Sequence, residues 1–189
     1  MKRKEKKRFS GLMWIIILVF LGIVIAFPKW ITVFYPEPHR DLVFSCAYEH
    51  QVDPYLVFSI IRAESKFESL AVSPVGAKGL MQIMPDTALW IASQRGMEDF
   101  DTSTLHQPEV NIQFGCWYLA DLSNEFQQLP LVIAAYNAGR GTVNGWIQSG
   151  QWDGAMERLE DIPFIETREY VQNVMRNYEA YRAIYTRNQ

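Results

Sequence analysis

The sequence predicts an all-α fold, and three observations carry that prediction. Apolar residues recur at three- and four-residue spacing in one stretch after another. Proline and capping residues open these stretches, and glycine closes one of them at Gly139. No stretch alternates apolar and polar residues as a half-buried strand does. The length of 189 residues suits one globular domain plus an attachment. The expected divisions are a basic segment at 1–10, an apolar segment at 11–34, a spacer at 35–39 and a helical domain at 40–189.

Tyr35-Pro36-Glu37-Pro38 reads as a stiff spacer, because proline restricts itself and the residue before it. From about Arg40 to Gln51, Leu42, Val43, Cys46 and Ala47 mark the inner side of an amphipathic helix. Asp53-Pro54 is a strong helix start, with an N-cap side chain and proline at the first helical position. Leu56, Val57, Ile60 and Ile61 then follow a helical period. Residues 67–78 read as a loop. A helix starts near Pro85-Asp86-Thr87 with Ala88, Trp90 and Ile91, and Trp90 is expected in the core. Gly96 to His106 is expected to be another loop.

Pro108 opens a long helix with Val110, Phe114, Trp117, Tyr118 and Leu122 on its inner side. The next helix, about Leu129 to Ala138, is nearly all apolar and stops at Gly139, where Asn137-Ala138-Gly139-Arg140-Gly141 forms a turn. Residues 142–160 read as short helical pieces. Pro163 is expected to begin the last long helix, in which Val171, Val174, Tyr178 and Tyr181 keep the period.

Charge is segregated. The first ten residues hold six of the 18 Lys and Arg, and Glu5 as their one acid, so the rest carries 12 basic and 20 acidic residues and a formal charge of −8. An acidic domain lacks the basic surface that neutralises phosphates, which excludes nucleic acid as the expected partner. The basic residues precede an uninterrupted apolar run from Leu12 to Phe27. That run covers most of a ~30 Å hydrocarbon core, and basic flanks stay in the cytoplasm. A cleaved signal peptide competes with this reading, but Val24-Ile25-Ala26-Phe27-Pro28-Lys29-Trp30 makes a poor cleavage site. The expectation is an uncleaved, single-pass signal anchor with the domain on the extracytoplasmic side of the cell membrane. Cys46 and Cys116 fit either one disulfide or two buried thiols, with buried thiols preferred. His39, His50 and His106 have no ligand-like spacing, so neither a metal site nor a cofactor is expected.

The residue that draws attention is Glu64, four positions after Ile60 and three after Ile61. The period that buries those side chains sets its carboxylate on or beside the apolar stripe, near a helix C-terminus. Burial and the helix dipole both raise a carboxyl pKa. Taken alone, Glu64 is open to two readings: a charge that reaches solvent or pairs with Lys66, or an acid that holds its proton near neutral pH for catalysis.

Four motifs decide between them. Glu64-Ser65 precedes Ser73-Pro74-Val75-Gly76-Ala77-Lys78-Gly79-Leu80-Met81-Gln82-Ile83-Met84-Pro85. Ala134-Ala135-Tyr136-Asn137-Ala138-Gly139 comes later, and Ile162-Pro163-Phe164-Ile165-Glu166-Thr167-Arg168-Glu169-Tyr170-Val171 last. In this order they strongly resemble the catalytic domain of soluble lytic transglycosylases, the lysozyme-like family that cleaves peptidoglycan. The resemblance spans about residues 40–185. It implies the goose-type lysozyme-like helical fold, no cofactor, and glycan strands as partner.

The resemblance implies that Glu64 is the single catalytic acid, protonating the oxygen of the β-1,4 bond between N-acetylmuramic acid and N-acetylglucosamine. Glu64 then serves as base toward the muramoyl C6 hydroxyl, which closes on C1 to leave a 1,6-anhydro ring. A nucleophile carried by the substrate makes the second carboxylate of ordinary glycosidases dispensable and needs only orientation. The resemblance also places Ser73, Gln82, Met84 and Tyr136 along the sugar groove, with Tyr136 directing its hydroxyl near Glu64. Asn137 is implied either to bind substrate or to tie down its turn. Glu166 and Tyr170 match the last motif, and Glu166 is open to glycan contact or to stabilising its helix start. Trp90, Trp146 and Trp152 are open to stacking or core roles. One departure is Glu68-Ser69, where the family commonly has Asn-Pro. Two rivals are a hydrolytic muramidase of the same fold, with Asp86 or Glu68 as sequence-near second carboxylates, and a non-catalytic glycan-binding wall protein.

Overall fold

The structure is a computed structural model and describes residues 13–23 and 31–186. It divides into two compact units, Met1–Pro36 and Glu37–Gln189. In the first, residues 13–23 and 31–34 are helical, and the large apolar side chains of 13–23 are exposed. Among the described residues no helix is long and apolar enough to cross a membrane. The basic segment and residues 11, 12 and 24–30 of the expected anchor lie outside the described residues.

The second unit is helical, as predicted, with only isolated bridges at Val72–Lys78 and Lys78–Ile83 among its described residues. Its helices are α1 (Arg40–His50), α2 (Pro54–Glu64), α3 (Pro85–Gln94), α4 (Pro108–Glu125), α5 (Leu129–Ala138), α6 (Arg140–Gln148) and α7 (Ile165–Tyr185). Helix α2 is the hub. The Asp53 carboxylate accepts a hydrogen bond from the Tyr55 N–H at 2.8 Å, so the helix is capped as its sequence requires. Every residue from Tyr55 to Ile61 is buried, which means that neighbours cover all faces of the helix rather than one stripe.

Helix α7 pairs most extensively with α2. The Tyr178 hydroxyl donates to Asp53 at 2.7 Å at one end, and the Tyr170 hydroxyl donates to Glu64 at 2.6 Å at the other. Position rises along α2 as it falls along α7, so the two run antiparallel and are pinned at both ends. Beyond the Tyr178 pin, Tyr181 stacks on Phe58, with ring centroids 5.6 Å apart.

Several expectations change. The last helix starts at Ile165 rather than Pro163, because Phe164 remains extended as its N-cap. The loop expected at 96–106 contains a 3-10 helix, Thr102–His106, capped by an Asp101 carboxylate that accepts from the Ser103 N–H at 2.8 Å. The glycine turn at 137–141 is a joint of one residue: Gly139, at φ 86°, separates α5 from α6. Cys46 and Cys116 are free, buried thiols, and burial pushes both pKa values up.

The tryptophans divide. Trp146 and Trp152 are core residues and are closed to sugar stacking. Trp90 is the reverse: its expected place in the core is wrong. Ala88, Ile91 and Ala92 already fill the inward face of α3, which turns Trp90 outward. Its ring packs edge-on against Trp117 and Tyr118 at 5.4 and 6.1 Å, with the Arg140 guanidinium 4.9 Å from its centroid.

Candidate active site

The site is built at the C-terminal end of α2, where Glu64 is the last helical residue. Ser65 follows, buried, with its hydroxyl donating to the Leu80 carbonyl at 2.7 Å and to the Ile61 carbonyl at 3.2 Å. The Glu-Ser pair therefore couples the acid to the Gly79-Leu80-Met81-Gln82 turn through the serine.

A buried asparagine on α4 holds that turn from beneath. The Asn111 side chain accepts from the Met81 N–H at 2.7 Å and donates to the Lys78 and Leu105 carbonyls, each at 2.8 Å. Gly79 sits above it at φ 76°, and a Cβ there would lie 2.2 Å from the Leu105 carbonyl oxygen and 2.3 Å from Asn111 Nδ2. Gly115 leaves the notch that receives the Met81 side chain. The turn thus needs glycine for its conformation, glycine for clearance and asparagine for its backbone groups. Sequence reasoning missed Asn111. Its signal was an amide on the inward side of an otherwise apolar helix, where a polar group requires partners.

Gln82 holds a left-handed conformation at φ 48°. Its Nε2 donates to the Gly79 carbonyl at 2.8 Å and to the Ala71 carbonyl at 3.2 Å, so the amide braces the strained residue and the preceding loop. Ser73 is engaged in its own turn: its N–H donates to the Ala77 carbonyl at 2.9 Å, and its Oγ accepts from the Ala77 N–H at 3.0 Å.

Glu64 faces an open groove of about 520 Å³ whose lining includes Asn137, Glu166 and Tyr170. Its carboxyl pKa is pushed up to about 7. Burial is the main cause, the Tyr170 bond opposes it, and the charge of Glu166 adds to it. Glu166 itself is exposed in the first turn of α7. A smaller pocket of about 210 Å³ is lined by Gln82, Met84, Thr87, Tyr118, Tyr136 and Asn137, among others. Asn137 is common to both and accepts from the Thr167 hydroxyl at 2.7 Å, which ties the end of α5 to α7.

The residues expected at the site fall into three groups. Glu64, Glu166, Tyr170 and Asn137 line one groove, and Gln82, Met84, Tyr136 and Asn137 line the adjoining pocket. Neither lining includes Ser73. The Tyr136 hydroxyl donates to the Met81 carbonyl at 2.8 Å, whereas the hydroxyl bonded to Glu64 belongs to Tyr170. Burial pushes the pKa of both phenols well up, with Glu64 the next cause, so each remains a neutral donor.

A carboxylic acid half-withdrawn from water, bonded by one neutral phenol and open to a groove, has the properties of a general-acid centre. The model of the transglycosylase SLT domain matches residues 41–158, and that of the soluble lytic transglycosylase helical domain matches 161–189. The chain belongs to the transglycosylase SLT family. It is 38% identical over 151 residues to a soluble lytic murein transglycosylase of Salmonella typhimurium, covering 78% of this chain and 23% of the relative. A membrane-bound lytic murein transglycosylase C of Haemophilus ducreyi is 38% identical over 115 residues, or 56% of this chain and 31% of that one.

Among solved structures, the lytic transglycosylase Slt of Pseudomonas aeruginosa, an inactive glutamate-to-glutamine variant, matches with TM-score 0.74 and 38% identity over 80% of this chain and 25% of that one. The 70 kDa soluble lytic transglycosylase in complex with bulgecin A matches with TM-score 0.73 and 36% identity over 79% of this chain and 25% of that one. The chain therefore spans about a quarter of the length of these soluble relatives.

Proposed function

We propose that the chain cleaves the β-1,4 bond between N-acetylmuramic acid and N-acetylglucosamine in peptidoglycan without consuming water. The observation that carries this reading is the Glu64 carboxyl, bonded by Tyr170 at the groove and titrating at about 7. Glu64 gives its proton to the glycosidic oxygen as the C1–O bond breaks, and the N-acetylglucosamine chain leaves with a new hydroxyl. The resulting carboxylate takes the proton of the muramoyl C6 hydroxyl, whose oxygen bonds to C1. The products are a 1,6-anhydromuramoyl end and a restored acid. Tyr170 steadies the carboxylate between the two proton transfers, because its bond favours the charged form.

In this reading Gln82, Met84, Tyr136 and Asn137 form the sugar-binding wall, and Ser73 acts through the loop before the turn. A hydrolytic muramidase is the rival that one feature favours: Glu166 is a second carboxylate in the Glu64 groove. Asp86 and Glu68 are both exposed and absent from that groove lining. Mass analysis of fragments released from purified peptidoglycan separates the two. Ends lighter by one water are expected, and a digest holding only reducing ends would sink the proposal.

The rate should follow the proton on Glu64. Because the protonated form reacts, kcat/KM is expected to stay level below about pH 7 and fall roughly tenfold per pH unit above it. Tyr170→Phe removes a bond that favours the carboxylate, so its falling limb should move to higher pH. A limb that stays put or moves down in Tyr170→Phe would contradict this account of the acid.

Residues 11–34 are further proposed as a signal anchor that holds the domain outside the cell membrane. The apolar run after a basic segment and the exposed apolar helix at 13–23 support that reading. The full chain is expected to sediment with membranes, resisting high salt and yielding to detergent, while a chain beginning at Glu37 stays in the supernatant. Recovery of the full chain in the salt wash would refute the anchor.

A further inference from the structure

Of the three tryptophans that the sequence leaves open to stacking, Trp90 alone remains available. Trp146 and Trp152 are buried, whereas Trp90 keeps 36% of its surface exposed. It lies in none of the four motifs that carry the family resemblance, and it stands outside the lining of the smaller pocket. Two lines of contact lead to it from that pocket. Along α3, Met84, Thr87 and Trp90 follow at three-residue spacing, and the first two line the pocket. Across the floor, Tyr118 lines the pocket, packs on the Tyr136 ring at 5.5 Å and meets the Trp90 ring at 6.1 Å. Trp90 is the next ring after Tyr118, about 4.5 Å along α3 from Thr87 at the helical rise of ~1.5 Å per residue.

The ring is braced and its surroundings are neutralised. The Arg140 guanidinium lies over it at 4.9 Å and over Tyr118 at 5.8 Å, and Trp117 packs edge-on against it at 5.4 Å. Arg140 is itself paired with Asp121 and, at 3.2 Å, with Glu125. The patch therefore offers an apolar ring beside a cation whose charge is already met. That combination does not favour an anionic group. It suits an uncharged sugar, whose C–H face covers an aromatic ring while its hydroxyl and acetamido groups stay at the wet rim. Of the two sugars that alternate in the strand, N-acetylglucosamine carries neither an acid nor a peptide. We propose that Trp90 is a stacking platform for an N-acetylglucosamine residue of the strand, a sugar or two beyond those seated in the pocket. This rests on the proposed cleavage of peptidoglycan and extends it: the enzyme favours strands long enough to reach Trp90.

Strand length is the variable that tests the platform. The full chain and its Trp90→Ala and Trp90→Phe variants are assayed on peptidoglycan glycan oligomers of increasing length, with KM and kcat separated and thermal melts confirming the fold. A ring that only braces the pocket wall would affect every length alike, whereas a platform acts only on oligomers that reach it.

On long oligomers Trp90→Ala is expected to raise KM about tenfold with little change in kcat. The loss should shrink as the oligomers shorten, and Trp90→Phe, which keeps a ring, should recover part of it. An equal loss at every length, or none at any, would overturn the inference. If wild-type protein releases no product from any oligomer, it is the proposed cleavage that fails. Chitin oligomers, built of N-acetylglucosamine alone, then test the platform by itself. They are titrated by calorimetry into the Glu64→Gln chain with and without Trp90→Ala. An added gain in affinity with length that requires Trp90 would support the platform, and identical affinities for the two chains would overturn it.

Discussion

Glu64→Gln is expected to lower kcat by about a thousandfold or more, since a positioned general acid contributes roughly 10²–10⁴-fold and this residue serves in both of the proposed proton transfers. Glutamine keeps the shape of the side chain and still accepts the Tyr170 bond at its amide oxygen. The loss should therefore appear in kcat, with glycan binding largely retained. Unchanged wall clearing by the variant would remove Glu64 from the mechanism.

The same substitution should make the protein more stable in alkali. The Glu64 carboxyl titrates at about 7 in the folded chain, against 4.5 for an ordinary glutamate. Between these values the folded chain keeps a proton that the unfolded chain has released. Wild-type stability relative to the glutamine variant is therefore full below the lower value and is lost as pH rises through the upper one. The gap corresponds to roughly 3 kcal/mol once both states are ionised. Melting curves should nearly coincide near pH 4 and favour the variant near pH 8. A variant less stable than wild type at the higher pH would show that the carboxylate is welcomed by the fold rather than tolerated.

Asn111→Leu should be the most damaging change away from the acid. It keeps the branched shape but strands the Met81 N–H and the Leu105 carbonyl in a buried place, while the Lys78 carbonyl keeps the Ile83 N–H at 3.0 Å. Each such group costs ~1–3 kcal/mol, and the added apolar surface returns only part of that, so a net loss of about 2–4 kcal/mol is expected. For a domain of this size that is a fall in Tm of roughly 10 °C. Activity measured well below the melting transition should also fall, because the turn that sets Gln82 and Met84 loses its support. Ser123→Ala, which removes one hydroxyl bond to the Leu119 carbonyl from an exposed residue, serves as the comparison and should lie within ~0.5 kcal/mol of wild type. Equal melting temperatures for the two variants would mean that Asn111 does not hold the turn.

The helices were legible because their signals are local. Asp53-Pro54, Pro85, Pro108 and Gly139 each act within a turn of the boundary they mark, and the boundaries fall there. Glu64 was legible as an oddity, since helical period alone sets it beside buried residues. What escaped depends on partners distant in the chain. Asn111 meets Met81 across 30 residues, and Tyr170 meets Glu64 across 106. Trp90 escaped for a different reason: period locates the apolar face of a short helix, but the small residues Ala88 and Ala92 completed that face without it. Gln82 and Tyr136 were read as side chains directed at a ligand. The Gln82 amide nitrogen and the Tyr136 hydroxyl also brace the backbone of the wall that both residues line.

The two pins between α2 and α7 have a consequence for when Glu64 gains its raised pKa. Glu64 and Asp53 are synthesised 106 and 125 residues before their partners Tyr170 and Tyr178. Until α7 docks, one face of α2 lies in water and its acid has the acidity of any glutamate in a peptide. A nascent or truncated chain is then an anion with no proton to give at neutral pH. The proposed acid is armed by the docking of α7 and not by its own helix.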